Sequence, residues 1–340
     1  MSVPSRLHLP SVTLCCVDST SRVPWALKAL QRCVEAIEFG DAVLCTDRAS
    51  LGAHALPTGV RWVEIEPLTS IEAYSHFMLK SLAPLVRTEH MLTVQWDGYV
   101  LDPGAWRDEF LHYDYIGAPW PHVAEPNKVG NGGFSLRSRR LLLALQEPAF
   151  EPGNPEDVCI CVTHRAALEA RGIRFAPTVL ASEFSVEEGG QRDGRFGFHG
   201  AYHLPYVLPP DEVLALIASL QPAGVMAHAF GNLLRNLNAL ARVDARYAPA
   251  LAALEQLIVH TVEGLAGAPS LAPPALALAK SLIRYGQYGA AARLLRLRRQ
   301  ALGRRWAEPR LHWRLQTRRL LSLARRPWQR RPVEQGRDAP

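Results

Sequence analysis

No run of apolar residues in this 340-residue chain reaches the roughly 20 needed to cross a bilayer. Met1 to Pro10 also lacks the apolar core of a secretory signal, so neither an integral membrane protein nor an exported one is expected. The six cysteines (Cys15, Cys16, Cys33, Cys45, Cys159, Cys161) form no zinc-type CxxC pair and fall mainly in predicted strands and helices. Buried, reduced thiols in a cytoplasmic protein are the expectation. Acidic residues nearly vanish toward the C-terminus. Residues 286–340 hold 15 Arg, no Lys and three acids (Glu308, Glu334, Asp338), a local charge of 15 − 3 = +12. The whole chain is +6, so the other 285 residues sum to 6 − 12 = −6. The pI of about 9.1 thus belongs to a basic tail on a mildly acidic body and does not argue that the body binds nucleic acid. A composition 48% hydrophobic and 21% charged excludes wholesale disorder and is ample for a core.

The body alternates strand and helix signals. Val12 to Val17 reads as a buried strand running into Asp18, and Pro24 opens a helix that Gly40 is expected to stop. Ala42 to Thr46 is a second strand ending in Asp47, and Arg61 to Glu66 a third. A helix from Ser70 to Leu85, with Ser70 and Glu72 as capping signals, leads into the strand His90 to Val94. Gln95-Trp96-Asp97-Gly98 follows at the carboxyl end of that strand, where open α/β sheets bind ligands. For Asp18, Asp47 and Asp97 the alternatives are turn or capping chemistry and contact with a ligand.

Beyond Asp97 the pattern predicts a short helix over 103–112, an aromatic strand from Tyr113 to Trp120, and a loop with three glycines in four residues (Gly130, Gly132, Gly133). Glycines there let backbone approach a ligand, but the loop lacks GxxxxGK[ST] and GxGxxG. Phe134 to Leu136 reads as a strand, Ser138 starts a helix, and Pro155-Glu156-Asp157 opens another that runs to Gly172. Ile173 to Pro177, Glu183 to Glu187 and Phe196 to Gly200 are the remaining strand candidates. From Pro205 strand signals stop. Helices are expected over 211–220, 225–240, 248–265, 275–285, 288–302 and 311–324, without the fixed period of a solenoid. The expectation is an α/β domain over 1–204, a helical region over 205–327 and a basic tail over 328–340.

Five phrases in order, with a histidine after them, carry a resemblance. They are Gln95 to Val100 (QWDGYV), Phe110 to Trp120 (FLHYDYIGAPW), Gly130 to Arg137 (GNGGFSLR), Glu156-Asp157 and Glu183 to Glu187 (EFSVE), then His199. Together they resemble a family of GT-A-like glycosyltransferase domains long catalogued only as a domain of unknown function, across roughly residues 10–200. The resemblance implies a Rossmann-like, mostly parallel sheet that binds a nucleotide-sugar at its carboxyl edge with Mn²⁺ or Mg²⁺. It aligns Asp97 with the second acid of an Asp-x-Asp metal motif and Gln95 with the first, with His199 as a further metal ligand. It sets Asn131, Gly132 and Gly133 beside the donor and makes Asp157 the base of an inverting transfer, with Glu156 as fallback. Gln95 departs from the motif because an amide oxygen brings no charge. Lys80 is a candidate to supply that charge to a phosphate, or else is a solvated helix residue. Trp96, Tyr115 and Trp120 are sugar-stacking candidates, with core packing the alternative for at least two of them.

The functional expectation is transfer of a sugar, UDP-linked by preference, to a hydroxyl of a glycan, lipid-linked or protein acceptor. The alternative is a non-catalytic nucleotide-sugar-binding scaffold that recruits partners through the helical, Arg-rich C-terminus. An anionic membrane surface or an acidic partner suits that C-terminus better than nucleic acid, placing the protein in the cytoplasm or at the membrane's inner face.

Overall fold

A computed structural model describes residues 6–188, 191–220, 227–264, 276, 279–280, 282–284 and 287–302. The chain divides into two compact units, 1–208 and 209–340.

The first unit is built on six strands: β1 (Leu7–Val17), β2 (Ile37–Thr46), β3 (Arg61–Glu64), β4 (His90–Val94), β5 (Tyr115–Gly117) and β6 (Ser135–Ser138). Their order is β3-β2-β1-β4-β6-β5, with β3, β2, β1 and β4 parallel and β6 antiparallel to both neighbours. The fold is therefore α/β with a mostly parallel sheet. β4 is buried along its whole length and β1 from Val12 to Val17, which explains why these stretches read as continuous apolar runs and not as alternation. Helix α1 (Val23–Ala36) has proline in its first turn and buries Trp25, Leu27, Leu30 and Cys33, the stripe its 3.6-residue period predicts. The short helix α2 (Arg48–Leu51) follows β2, with Asp47 as its N-cap.

Helix α3 (Ile71–His76) is capped by Ser70, whose side chain accepts from the Ala73 N–H, and continues as a π-helical turn over Phe77–Ser81. Met78, Leu82 and Ala83 from this segment, with Leu142 of α4 (Arg139–Ala144), cover Cys15, Val17, Val43, Cys45 and Met91 of the sheet. All six cysteines are free and buried, and burial pushes the Cys33 thiol up to about 12, which makes it inert.

Gly40 does not stop α1. The helix ends at Ala36 and the chain enters β2 at once, with Gly40 inside the strand. A Cβ at Gly40 would lie 2.0 Å from the Pro10 carbonyl oxygen, at the point where the β1–β2 register shifts. The glycine marks a close backbone approach.

Other expectations change as well. Residues 103–112 form two 3₁₀ turns, Pro103–Ala105 and Asp108–His112. Ile173 to Pro177 makes one bridge, Phe175 to Tyr115, because Pro177 already caps the helix α7 (Thr178–Phe184). That helix takes Glu183 and Phe184 out of the strand expected over 183–187. It leaves β7 (Ser185–Val186), which pairs in parallel with β8 (Gly197–Phe198). The helix from 155 to 172 is realised as α5 (Glu156–Val158), a π-helical turn over Cys159–Thr163, and α6 (Arg165–Ala170). Helix α8 (Leu204–Val207) closes the first unit, so the division falls after Leu208, not after 204.

The second unit contains α9 (Pro210–Ser219), α10 (Ala227–Val243), α11 (Ala248–Gly264) and α12 (Tyr288–Leu302), with α11 touching each of the other three. Leu233, Leu237, Leu254, Ile258 and Leu294 are among its buried side chains. The expected helix 311–324 and the tail 328–340 lie outside the described residues, as does part of 275–285. Among the described residues no helix is long and apolar enough to cross a membrane.

Candidate functional site

The strand order places a topological switch point between β1 and β4, because the chain leaves β1 toward β2 on one side and reaches β4 on the other. Asp18 directly follows β1, and Asp97 lies three residues beyond β4. Both carboxylates therefore stand at the carboxyl edge, close enough that Asp97 contributes to raising the Asp18 pKa, an effect led by burial. Thr20 holds Asp18 with its N–H at 2.8 Å and its hydroxyl at 2.6 Å. Asp47 accepts from the Ser50 N–H and the Ser19 hydroxyl, both at 2.9 Å, so its geometry is that of an N-cap.

Gln95 to Gly98 is a tight turn, in which Gln95 and Gly98 exchange backbone hydrogen bonds of 3.0 and 3.1 Å. Two further backbone bonds clamp this turn to the end of β8. The Phe198 N–H donates to the Tyr99 carbonyl, and the Gly200 N–H donates to the Asp97 carbonyl. The clamp seats His199 across the turn. Its Nε2 lies 3.6 Å from Asp97 Oδ1 and 3.2 Å from Gln95 Oε1. Gln95 is oriented by its own amide nitrogen, which donates to the Tyr74 hydroxyl at 2.8 Å and so turns its oxygen toward the imidazole. Asp97 Oδ1 is buried without a hydrogen-bond partner. Side chains are excluded here by contact: a Cβ at Gly98 would lie 2.9 Å from His199 Cδ2, and one at Gly133 would lie 2.2 Å from His199 Nε2.

Glu187 completes the cluster. The β7–β8 pairing, continued by one residue, brings it beside His199, and its Oε1 lies 3.3 Å from His199 Nδ1. Burial by itself would lower the His199 pKa, but the Asp97 and Glu187 carboxylates overcome it and raise the pKa well above its usual value. Among the described residues no three His, Cys, Asp or Glu side chains are arranged to hold a metal ion.

The glycine loop joins this cluster to the acidic pair. Asn131 adopts φ = 63° and accepts from the Gly133 N–H at 3.0 Å through Oδ1, while its buried Nδ2 has no partner. The Gly132 N–H donates to Asp157 Oδ2 at 2.9 Å. Burial, then the neighbouring Glu156, raises the Asp157 pKa from its ordinary value. Glu156 is itself buried and ion-paired, its Oε1 lying 3.0 Å from Arg137 Nη2. Arg137 has no exposed surface and also bonds Ser135 Oγ and the Gly132 carbonyl.

The structure thus brings together Gln95, Asp97, His199 and Gly133 in one cluster, and hydrogen-bonds Gly132 of the same glycine loop to Asp157 of α5. Lys80 is not among them. Its ammonium donates to the Leu145 and Glu147 carbonyls just past α4, so it is a capping cation and not the charge that Gln95 lacks. Trp96 is buried under the Arg22 guanidinium, which stands 5.3 Å from its ring. Tyr115 is wholly buried and Trp120 packs on Gly130, where a Cβ would meet its ring at 2.2 Å. All three are packing residues. Glu187, Arg137 and Tyr74 went unassigned in the sequence. The first two sit inside phrases that carried the resemblance, and nothing in the pattern marks Tyr74.

His203, buried beneath the cluster, donates its Nε2–H to the Glu187 carbonyl at 2.7 Å, and its Nδ1 is buried without a partner. Burial pushes its pKa down to about 4. The unfolded chain binds a proton here near 6.5 and the folded chain does not until about 4. Stability is therefore lost as pH falls through that window, by up to about 3 kcal/mol. His203→Gln keeps a donor for the carbonyl and cannot titrate. Urea unfolding at pH 7.5 and 4.5 is expected to show a smaller acid loss in the variant than in the wild type. Equal losses would refute the assignment.

Residues 58–199 match the model of a family described as a protein of unknown function (DUF5672). No curated protein matches the chain. The matched stretch begins just before β3 and ends on His199, so it spans the Asp97 turn, the glycine loop, the acidic pair and the histidine. It is to this family that the part of the first unit from β3 to β8 is similar.

Proposed function

We propose that the 1–208 unit is a GT-A-like glycosyltransferase acting on a nucleoside-diphosphate sugar. The observation that carries this reading is the arrangement at the switch point. Asp97, Gln95 and His199 gather at the turn, the backbone of Gly133 leaves no room for a side chain beside His199, and the same glycine loop binds Asp157. A diphosphate needs close backbone approach and neutralisation, and an acceptor hydroxyl needs a base within reach. Asp157 has the raised proton affinity that suits a base. It would take the hydroxyl proton as the acceptor oxygen attacks the anomeric carbon and the diphosphate leaves with the bonding pair.

A divalent cation, Mn²⁺ or Mg²⁺, would be held by Asp97 Oδ1, Gln95 Oε1 and His199 Nε2, and would supply charge to the leaving diphosphate. Glu187 would orient the imidazole from its other nitrogen. The scaffold reading is favoured by one feature, Gln95, because a single carboxylate makes a weak cation site.

Thermal shift of the full chain against nucleoside diphosphates and nucleotide-sugars, with and without Mn²⁺, tests the reading. A rise with one nucleotide of a few degrees, strengthened by Mn²⁺ and abolished in Asp97→Ala, is expected. No shift with any donor would count against both the transferase and the nucleotide-sugar scaffold.

A further inference from the structure

The opposite edge of the sheet carries a feature that sugar transfer does not use. Residues 1–208 contain 18 Lys and Arg against 24 Asp and Glu, a net charge of 18 − 24 = −6. Yet a cleft of about 890 Å³, where β4 begins and β6 ends, is lined by Arg87, Arg139, Arg140 and Arg174. Only two carboxylates, Asp114 and Glu89, line it with them. Asp114 is largely committed to the protein, accepting from Ser138 Oγ at 2.6 Å and the Arg174 N–H at 2.7 Å. Arg140 leans on Asp114 at 3.8 Å and donates to the Arg171 carbonyl at 3.1 Å. The guanidinium groups of Arg87, Arg139 and Arg174 have no hydrogen bond or ion pair among the described residues.

Three uncommitted cations around one concavity repel one another, and an anion between them converts that repulsion into attraction. The planar fork of arginine matches the oxygens of a phosphate-type group two at a time. His90, also lining the cleft, is held neutral by burial, so the positive charge is arginine's alone. The five residues of β4, on the order of 16 Å, separate this cleft from the Asp97 turn. An anion bound here would not be the transferred sugar's diphosphate.

We propose that this cleft is a second binding site, for a phosphate-bearing ligand held by Arg87, Arg139 and Arg174. The ligand's source is either a soluble diphosphate or a phosphorylated lipid headgroup. Calorimetric titration with inorganic pyrophosphate covers the first source, and co-sedimentation with phosphatidylcholine vesicles containing phosphatidic acid covers the second. Arg139→Gln/Arg174→Gln and Arg87→Gln/Arg174→Gln change only exposed side chains, so both variants are expected to fold. In at least one arm, binding should weaken tenfold or more in both variants. Arg-rich sequence elsewhere in the chain is unchanged in them, so any binding it provides stays constant. Loss in the pyrophosphate arm assigns a soluble ligand, and loss only in the vesicle arm assigns a headgroup. The proposal is overturned if neither probe binds, or if both variants bind as tightly as the wild type. The nucleotide-sugar thermal shift should be unaltered in the variants, which separates this result from the fate of the transferase reading.

Discussion

Arg137→Met is expected to destabilise the first unit by about 3–5 kcal/mol. Arg137 is without solvent exposure and its ion-pair partner Glu156 is 8% exposed, so truncation leaves a carboxylate buried with no countercharge. The same change removes donors to Ser135 Oγ and the Gly132 carbonyl and a cation 5.6 Å above the Tyr115 ring. Arg137→Met/Glu156→Gln should be markedly less damaging than the sum of its single variants, because no charge is then stranded. Urea unfolding of all four proteins closes the cycle. Additive losses would mean that the pair contributes nothing beyond packing.

Asp157→Asn is expected to reduce kcat for sugar transfer by roughly 10²–10⁴-fold while leaving the donor-induced thermal shift in place. The amide oxygen of asparagine can still accept from the Gly132 N–H, so the loop keeps its shape, while the proton acceptor and the bond from the Val158 N–H to Oδ1 are lost. Glu156→Gln is the comparison. It disturbs a buried ion pair, so its effect should appear chiefly in stability. If Asp157→Asn transfers sugar within a few-fold of wild type, Asp157 is not the base. If neither protein transfers and both bind donor equally, the scaffold reading replaces the enzyme.

Much of the sheet was legible because its strands are buried on both faces. His90 to Val94 appears in the sequence as five residues bounded by polar neighbours, and it is β4 without adjustment. The caps at Ser70 and Ser138 were legible for a local reason, since a serine hydroxyl three residues before an amide is a short-range device. Gly40 was misread because a glycine after an apolar stripe looks like a helix end, whereas its reason is the Pro10 carbonyl 30 residues away in sequence. Helix α7 was missed because seven residues with Thr and Val at the start carry little helical signal, and its burial of Leu180, Ala181 and Phe184 depends on what packs there.

The same division holds at the site. The order and wording of the five phrases, through the resemblance they carry, marked Asp97, the glycine loop, the Glu156-Asp157 pair and His199; by residue type alone each also read as a turn, a cap or a structural residue. Only the tertiary structure decided what each one faces. It gave Arg137 to Glu156, leaving Asp157 to the glycine loop, and it turned Lys80 toward the carbonyls beyond α4. It also set Glu187 against His199 through a two-residue strand pairing. Such partners are separated by up to 104 residues, and no local propensity reports on them. Chemistry is written in single residues, whereas protonation and partnership are properties of neighbours that only folding supplies.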